Sequence, residues 1–503
     1  MNEPNQGHDE RSAEAGSVGL TRALMSSALI AALGGLLFGF DTAVISGTTD
    51  VLRKVYALDS ASLGLTVASA LLGTIAGALL AGRPADAFGR RTSLFVIAAL
   101  YLVSALGSAF AWSWHALLAM RFIGGLAVGG ASVVSPMYIA EISPAAYRGR
   151  LVAVTQLNIV VGVLVAFFSN YLLSGAGLGD ATWRYMLGVE AIPAAAFFLL
   201  LLATPRSPRW LVAQGQLDAA RQVLQRLGLT GPAAQQRIAE IRVALVEARS
   251  QRRAPLLRGE NLRPVTLAVA IAMFNQLSGI NALMYYAPSI FKMAGAAESS
   301  ALLQTVLMGG INLFFTALAL FIIDHVGRRR LMLVGSVGYI VSLTTTAWAF
   351  HSFGNDFTDT ASVVVLCSLL LFVASHAFGQ GAVIWVFISE VFPNHLRARG
   401  QSLGSFSHWF MAAVVSWSFP IIAEASGGYV FGFYALMMVL QLGWVLWIMP
   451  ETKGVSLEQI QQGPTAAPSA TRPPRTRRRS LRAPHVAVSP PRAETAAAST
   501  RPT

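Results

Sequence analysis

Twelve runs of about twenty predominantly apolar residues recur along the chain, at roughly 24–47, 63–82, 92–112, 115–140, 150–173, 184–203, 265–292, 301–323, 331–351, 361–388, 400–424 and 429–449. Each is long enough to cross the hydrocarbon core of a bilayer as a helix, which satisfies its own backbone hydrogen bonds where water is absent. With 54% hydrophobic and only 12% charged residues among 503, the chain has the composition of a polytopic membrane protein. The expected fold class is therefore an all-α membrane protein of twelve transmembrane helices, with the lipid bilayer as its first partner. No basic n-region or small-residue cleavage site precedes the first run, so a removed signal peptide is not expected. The single cysteine, Cys367, falls inside the tenth run and has no second cysteine to pair with.

A net charge of +13 raises the question of nucleic acid, and the placement of the bases answers it. Of 37 Lys and Arg, 32 lie in the N-terminus, the C-terminal tail and the loops after runs 2, 4, 6, 8 and 10. Four (Arg53, Lys54, Arg184 and Lys292) lie on the other side, and Arg121 lies within a span. The excess of positive charge on cytoplasmic loops orients membrane proteins, so both termini and the central loop are expected in the cytoplasm. The basicity is an orientation signal and no nucleic-acid partner is expected.

An internal repeat narrows the architecture further. "EISPAAYRGR" after run 4 and "EVFPNHLRAR" after run 10 share Glu, Pro, Arg and Arg at the same spacing, and "DAFGRR" after run 2 matches "DHVGRR" after run 8. Motifs recurring after runs n and n+6 predict two parallel six-helix repeats, residues 23–203 and 265–450, the arrangement of a major facilitator carrier. Residues 204–264 form a cytoplasmic linker in which "QLDAARQVLQRLG" and "AAQQRIAEIRVALVEARSQRR" are predicted as amphipathic helices. Residues 1–22 are expected to be an unstructured cytoplasmic N-terminus. The 451–503 tail is expected to be disordered from about 463, where Pro, Ala, Ser, Thr and Arg dominate. Its "RTRRRSLR" cluster is read as a solvated basic stretch or a contact for anionic lipid.

Ionisable and amide side chains inside the apolar runs are costly and so mark candidate sites. Asp41 stands alone in "GLLFGFDTAVISG", and Arg121 in "MRFIGGLAVGGAS" is its candidate partner. The pair is either a proton carrier, alternating between paired and protonated, or a permanent structural ion pair. Gln156, Asn158, the span 7 stretch "FNQLSGINALMYYAP", Asn312, His376, Gln380, Trp385, His408 and Trp409 also lie at membrane depth. Amides can bind hydroxyls and indole faces can stack on a sugar ring, while interhelical hydrogen bonding is the competing role for each. At the cytoplasmic ends, Glu141, Arg148 and Arg150 are expected to face Glu390, Arg397 and Arg399, with Arg90 and Arg328 alongside, as a gate locking the halves together. No metal-ligand cluster, phosphate loop, nucleophile motif or paired membrane carboxylates are read from the chain, so no cofactor, no metal and no enzymatic activity are expected.

"GRPADAFGRR", "RFIGGLAVGG", "SPMYIAEISPAAYRGR", "SPRWL", "NQLSGINALMYYAP", "IIDHVGRRR", "WVFISEVFPNHLRARG" and "PETKG" together resemble the signature motifs of the sugar porter family of the major facilitator superfamily, over about residues 34–454. The resemblance implies a carrier of monosaccharides working by alternating access in a plasma membrane, fitting a bacterial inner membrane, with a monomer sufficing for function. It implies proton coupling through Asp41 and Arg121. It implies sugar contacts at Gln156, Gln276, Asn281, Tyr285, Asn312, Trp385 and Trp409, with Phe38 flanking the pocket, and a gate at Glu141, Arg148, Glu390 and Arg397.

The chain departs from the family at Asn275, His408 and Gln380, which are taken here as further substrate-contact candidates, and at Arg206, where "PRSPR" reverses a charge in the family's usual motif. A proton-coupled hexose or pentose symporter is the expected function. An inositol or polyol symporter and a non-transporting sugar sensor are the alternatives.

Overall fold

The computed structural model describes residues 20–250, 256–257, 259–354, 356–393 and 396–453. The basic tail and the N-terminal residues before Leu20 lie outside this set. Residues 20–22, expected to be unstructured, are part of the fold. Arg22 opens the first helix, and the Thr21 hydroxyl caps it, accepting from the Leu24 N–H at 3.2 Å.

Among the described residues, twelve helices are long and apolar enough to span a bilayer: Arg22–Gly47, Ser60–Leu80, Arg90–Ala109, Trp114–Ile142, Ala146–Ser174, Gly179–Ala203, Leu262–Met293, Glu298–Val326, Arg328–Phe353, Asp359–Val391, Arg397–Ala425 and Gly427–Trp447. They are called spans 1 to 12. Hydroxyl or carboxylate N-caps at Asp59, Ser113 and Thr358 begin spans 2, 4 and 10, satisfying backbone donors that a helix start leaves free.

Three spans are interrupted: span 6 at Val189–Glu190, between Thr182–Gly188 and Ala191–Leu200, and spans 7 and 10 at glycines. Span 7 divides into Leu262–Leu277 and Ile280–Met293 at Gly279, whose φ of +86° is open to glycine. A Cβ there would collide with the Tyr434 ring. Span 10 divides at Gly379 into Asp359–Phe378 and Gln380–Val391, where a Cβ would sit 3.1 Å from the Gly335 Cα of span 9. Spans 7 and 10 both belong to the second repeat, and a helix broken inside a bundle frees backbone groups at a place where carriers hold substrate.

Within the first repeat, spans 1 and 5, 2 and 4, and 3 and 4 pack extensively; within the second, spans 9 and 12, 9 and 10, and 7 and 11 do so. Gly125 and Gly129 of span 4 bring the span 2 backbone at Ala70 and Thr74 close, while Gly124 instead lies alongside Ser104 and the Asp41 carboxylate. The repeats meet along spans 2 and 11 and along spans 5 and 8, two seams related by the six-span shift.

Three short helices, Pro208–Ala213, Leu217–Arg226 and Gly231–Ser250, follow span 6. The last two match the expected amphipathic segments; the first was read only as the motif "SPRWL". Pro208 at its first turn and the Ser207 cap begin it. Leu211, Val212, Ala220, Leu224, Ala234, Ile238 and Ile241 form its small core with the other two. The Thr21 hydroxyl donates to the Leu227 carbonyl at 3.1 Å, tying this unit to span 1.

Candidate functional site

Arg121 and Asp41 meet deep in the first repeat. The Arg121 Nη1 lies 2.6 Å from Asp41 Oδ1, and its Nη2 donates to the Asp41 carbonyl at 3.2 Å, with both residues only 2% exposed. Gly124 lies alongside: a Cβ there would sit 2.5 Å from Ser104 Oγ and 3.2 Å from Asp41 Oδ1. A residue that sequence reasoning missed completes the group. Glu190 of span 6, 2% exposed, lies within hydrogen-bonding reach of Asp41, so the expectation of no paired membrane carboxylates is corrected. Its signal was in the sequence, since "MLGVEAIPAAAF" places one acid in an apolar run just as "GLLFGFDTAVISG" does.

A second cluster crosses between the repeats. The Phe38 ring of span 1 stands 5.5 Å from the Trp409 ring of span 11. His408 lies between Trp385 at 4.9 Å and Trp409 at 4.8 Å, centroid to centroid. The Gln276 amide nitrogen approaches the His408 ring nitrogens at 3.2 and 3.3 Å and donates to Asn275 Oδ1 at 2.9 Å, while its oxygen accepts from Asn281 Nδ2 at 2.9 Å. Tyr285, also on span 7, is buried and interacts electrostatically with Asp41. Phe38 and Asp41 are three residues apart on one helix, so the aromatic cluster and the charged cluster share a face of span 1.

Not every candidate joins that cluster. Gln156 on span 5 is half-buried, and Asn312 on span 8, 7% exposed, accepts from Thr316 at 3.5 Å. Both lie on helices of the seam between spans 5 and 8 and make no hydrogen bond or ring contact with the cluster. Gln380 makes its contacts away from that cluster. Its amide accepts from the Tyr339 hydroxyl at 3.3 Å and donates to Gln441, whose own nitrogen donates to Ser336 at 2.9 Å. Tyr339 also bonds His376 at 2.6 Å. With both ends of its amide engaged inside the second repeat, Gln380 is part of an interhelical network. These partners belong to spans 9 and 12.

The motifs at the basic end form the same residue pairs in both repeats. Gly89 (φ +91°) is followed by Arg90, which bonds Glu141 at 2.9 and 3.0 Å; Gly327 (φ +96°) is followed by Arg328, which bonds Glu390 at 2.8 and 3.1 Å. Arg91 donates to the carbonyls of Leu201 and Leu202, and Arg329 to those of Val445 and Leu446. Ser207 and Thr452 hydroxyls complete the two carboxylates. These pairs lie within each repeat, so the expected facing of Glu141 and Arg148 against Glu390 and Arg397 is not what this conformation shows. Arg148 donates to the Ala140 carbonyl at 3.1 Å in its own repeat, and the buried Arg397 Nε has no hydrogen-bond partner.

The profile of the family described as "Sugar (and other) transporter" matches residues 27–463. The chain belongs to that family. It is a transporter and not an enzyme. It is 37% identical over 475 residues to the D-xylose-proton symporter of Escherichia coli (strain K12), covering 87% of this chain and 95% of the relative. It is 34% identical to the arabinose-proton symporter of Bacillus subtilis (strain 168), covering 86% and 93%, and 36% identical to a glucose transport protein of Synechocystis sp., covering 86% and 95%. The inward-open conformation of the E. coli xylose transporter, 35% identical, superposes with a TM-score of 0.77 over 87% of this chain and 99% of that one. The same protein bound to 6-bromo-6-deoxy-D-glucose gives 0.71 over 88% and 99%.

The transporter's apolar packing differs between its two ends. Away from the basic end one buried cluster runs through both repeats, from Phe40 and Leu52 to Tyr286 and Phe419. At the basic end two separate clusters serve the two repeats, Leu24 to Leu227 and Val265 to Met449. Polar ties between the repeats also gather at the far end. Lys292 bonds Asp50 at 2.9 Å, and Ser289 donates to the same carboxylate at 2.7 Å. Glu424 accepts from Ser60 and lies 3.7 Å from Arg53, and the Trp417 indole donates to the Ala61 carbonyl at 3.1 Å. Two of the four bases on that side, Arg53 and Lys292, therefore join the repeats.

Proposed function

We propose that this transporter carries a pentose or hexose inward together with a proton, rocking its repeats around the cluster of Phe38, Asn275, Gln276, Asn281, Trp385, His408 and Trp409. The observation that carries this reading is that Asp41 lies one helical turn from Phe38, whose ring meets Trp409. A proton-bearing acid and an aromatic–amide surface thus share one face of span 1. Relatives named as xylose-proton and arabinose-proton symporters support the pairing of ligand and ion.

The chemistry follows from the residues. Indole faces at Trp385 and Trp409 bury the apolar face of a sugar ring, and the amides of Gln276 and Asn281 exchange their mutual hydrogen bonds for bonds to its hydroxyls. Gln156 and Asn312 approach the same ligand from the seam as the repeats close, and Tyr285 connects the ligand to Asp41. Proton and sugar each bias the same conformational equilibrium, so each tightens the other's binding. Glu141, Arg148, Glu390 and Arg397 come together across the repeats when the basic end closes, while the ties at Asp50 and Glu424 break at the other. The basic end faces the cytoplasm, in keeping with the distribution of Lys and Arg, and both termini lie there. A single chain is the working unit.

The test is uptake of labelled xylose, arabinose, glucose, fructose, galactose and inositol into proteoliposomes, with and without an inward proton gradient. Accumulation of a monosaccharide above equilibrium is expected only with the gradient. Inositol as the sole substrate would replace the sugar with a polyol, and equal equilibration with and without the gradient would remove the proton.

A further inference from the structure

Tyr101, on span 3, is fully buried, and its hydroxyl has no hydrogen-bond partner within the protein. A phenol is rarely buried without a partner, because the lost hydration is not recovered. Two neighbouring polar atoms are in the same condition: Glu190 Oε1 and Arg121 Nε. The phenol interacts electrostatically with both Asp41 and Glu190. Ser104, one turn along the same helix face, confirms that this face meets the charged group: a Cβ at Gly124 would lie 2.5 Å from its Oγ and 3.2 Å from Asp41 Oδ1. The groups around the carboxyl pair are therefore Asp41 from span 1, Arg121 from span 4, Glu190 from span 6, Tyr101 from span 3 and, from the other repeat, Tyr285 of span 7.

This set is asymmetric in what it can donate. Arg121 already uses Nη1 and Nη2 on Asp41. When the pair loses a proton, the carboxyl oxygen that gave it up needs a new donor, and Tyr101 is the neutral O–H placed nearby without another commitment. We propose that Tyr101 is a positioning residue of the proton site, its hydroxyl donating to the Asp41–Glu190 carboxyl pair, directly or through one water, and so setting the pH at which the carrier loads. A donor that bonds the ionised carboxylate favours it over the neutral acid. Removing the donor leaves the acid protonated to higher pH, without altering any group that touches sugar. The inference rests on the proton-coupled reading above and adds to it a residue from a span that reading does not use.

Tyr101→Phe keeps the ring and removes only the hydroxyl. Full-length wild type and Y101F are compared in proteoliposomes by labelled D-xylose uptake against external pH, alongside D-xylose counterflow at equal pH. Infrared difference spectra of the purified proteins between acid and neutral pH report the protonated carboxyl band directly and require no sugar. The expected result is a uptake profile displaced to higher pH by about one unit, counterflow retained, and a shifted carboxyl band. Superimposed pH profiles with an unchanged carboxyl band would overturn the role. If wild type shows no gradient-driven uptake, the symport reading fails, and the infrared comparison still decides whether Tyr101 bonds the pair. The same comparison decides it if Y101F loses counterflow.

Discussion

Lys292 of span 7 holds Asp50 of the opposite repeat at 2.9 Å, and Ser289, one turn earlier, donates to the other oxygen of the same carboxylate. Span 7 therefore clamps the segment after span 1 at the far end, and the Glu424 contacts to Arg53 and Ser60 do the same between spans 11 and 2. Both pairs are partly exposed, so each contributes a fraction of a kcal/mol to about 1 kcal/mol. Asp50→Asn combined with Glu424→Gln is expected to shift the carrier toward its outward-facing form by roughly 3- to 10-fold. Hydrogen exchange across residues 48–64 measures it, and should speed up in the double variant.

The two repeats differ at one cap. Glu451 accepts from the N–H groups of Arg328 and Arg329, closing the start of span 9. Its counterpart by repeat is Arg206, which instead lies over the Trp210 ring at 5.7 Å, and that indole covers Gly89. Span 3 thus begins without the carboxylate that span 9 has. Arg206→Glu is expected to stabilise the first repeat by about 1 kcal/mol, from capping and the helix dipole. A rise in the thermal unfolding midpoint of the purified protein checks it.

Gln380 separates a structural amide from a binding one. Gln380→Ala leaves Gln441 and Tyr339 short of a partner in a buried network, at a cost of about 1–3 kcal/mol. The expected outcome is a lower unfolding midpoint with little change in sugar affinity. A loss of affinity at unchanged stability would return Gln380 to the binding site.

His408 and Gln276 are expected to act together on selectivity. The His408 ring engages the Gln276 amide and stands between two indoles, so His408→Gln replaces a rigid ring with a second amide. Relative kcat/KM among xylose, glucose and arabinose should change by about tenfold, since a mispaired buried hydroxyl costs that much or more. Competition uptake with paired sugars measures it.

The fold was legible because its main determinants are periodic or repeated. Twelve apolar runs and two sets of duplicated motifs define the spans and their six-span shift, and lipid leaves a chain of that kind few alternatives to helices. Asp41 and Arg121 were legible for the same reason, as rare charges in apolar surroundings that needed each other. Glu190 carries the same signal, but a single arginine satisfies Asp41 on paper, and sequence spacing does not show that span 6 brings a second acid to the pair. The contacts of Gln380 with Tyr339 and Gln441 were not legible, because which way a side chain next to a helix break points leaves no trace in composition. Arg90 pairs with Glu141 and Arg328 with Glu390 inside each repeat in this conformation, whereas the motifs alone leave open which partner each takes. Sequence spacing shows which motifs are equivalent, and only the conformation shows whether they meet across the repeats or within them.

The central claim is that Asp41 carries the proton that drives sugar uptake. Its most direct test is the Asp41→Asn variant in proteoliposomes, with accumulation under an inward proton gradient and counterflow at equal pH measured on the same preparation. The account predicts that accumulation is lost and counterflow survives, because asparagine can still occupy the space beside Arg121 but cannot exchange a proton. Accumulation at the wild-type level in the variant would contradict it and make the Asp41–Arg121 pair a structural element alone.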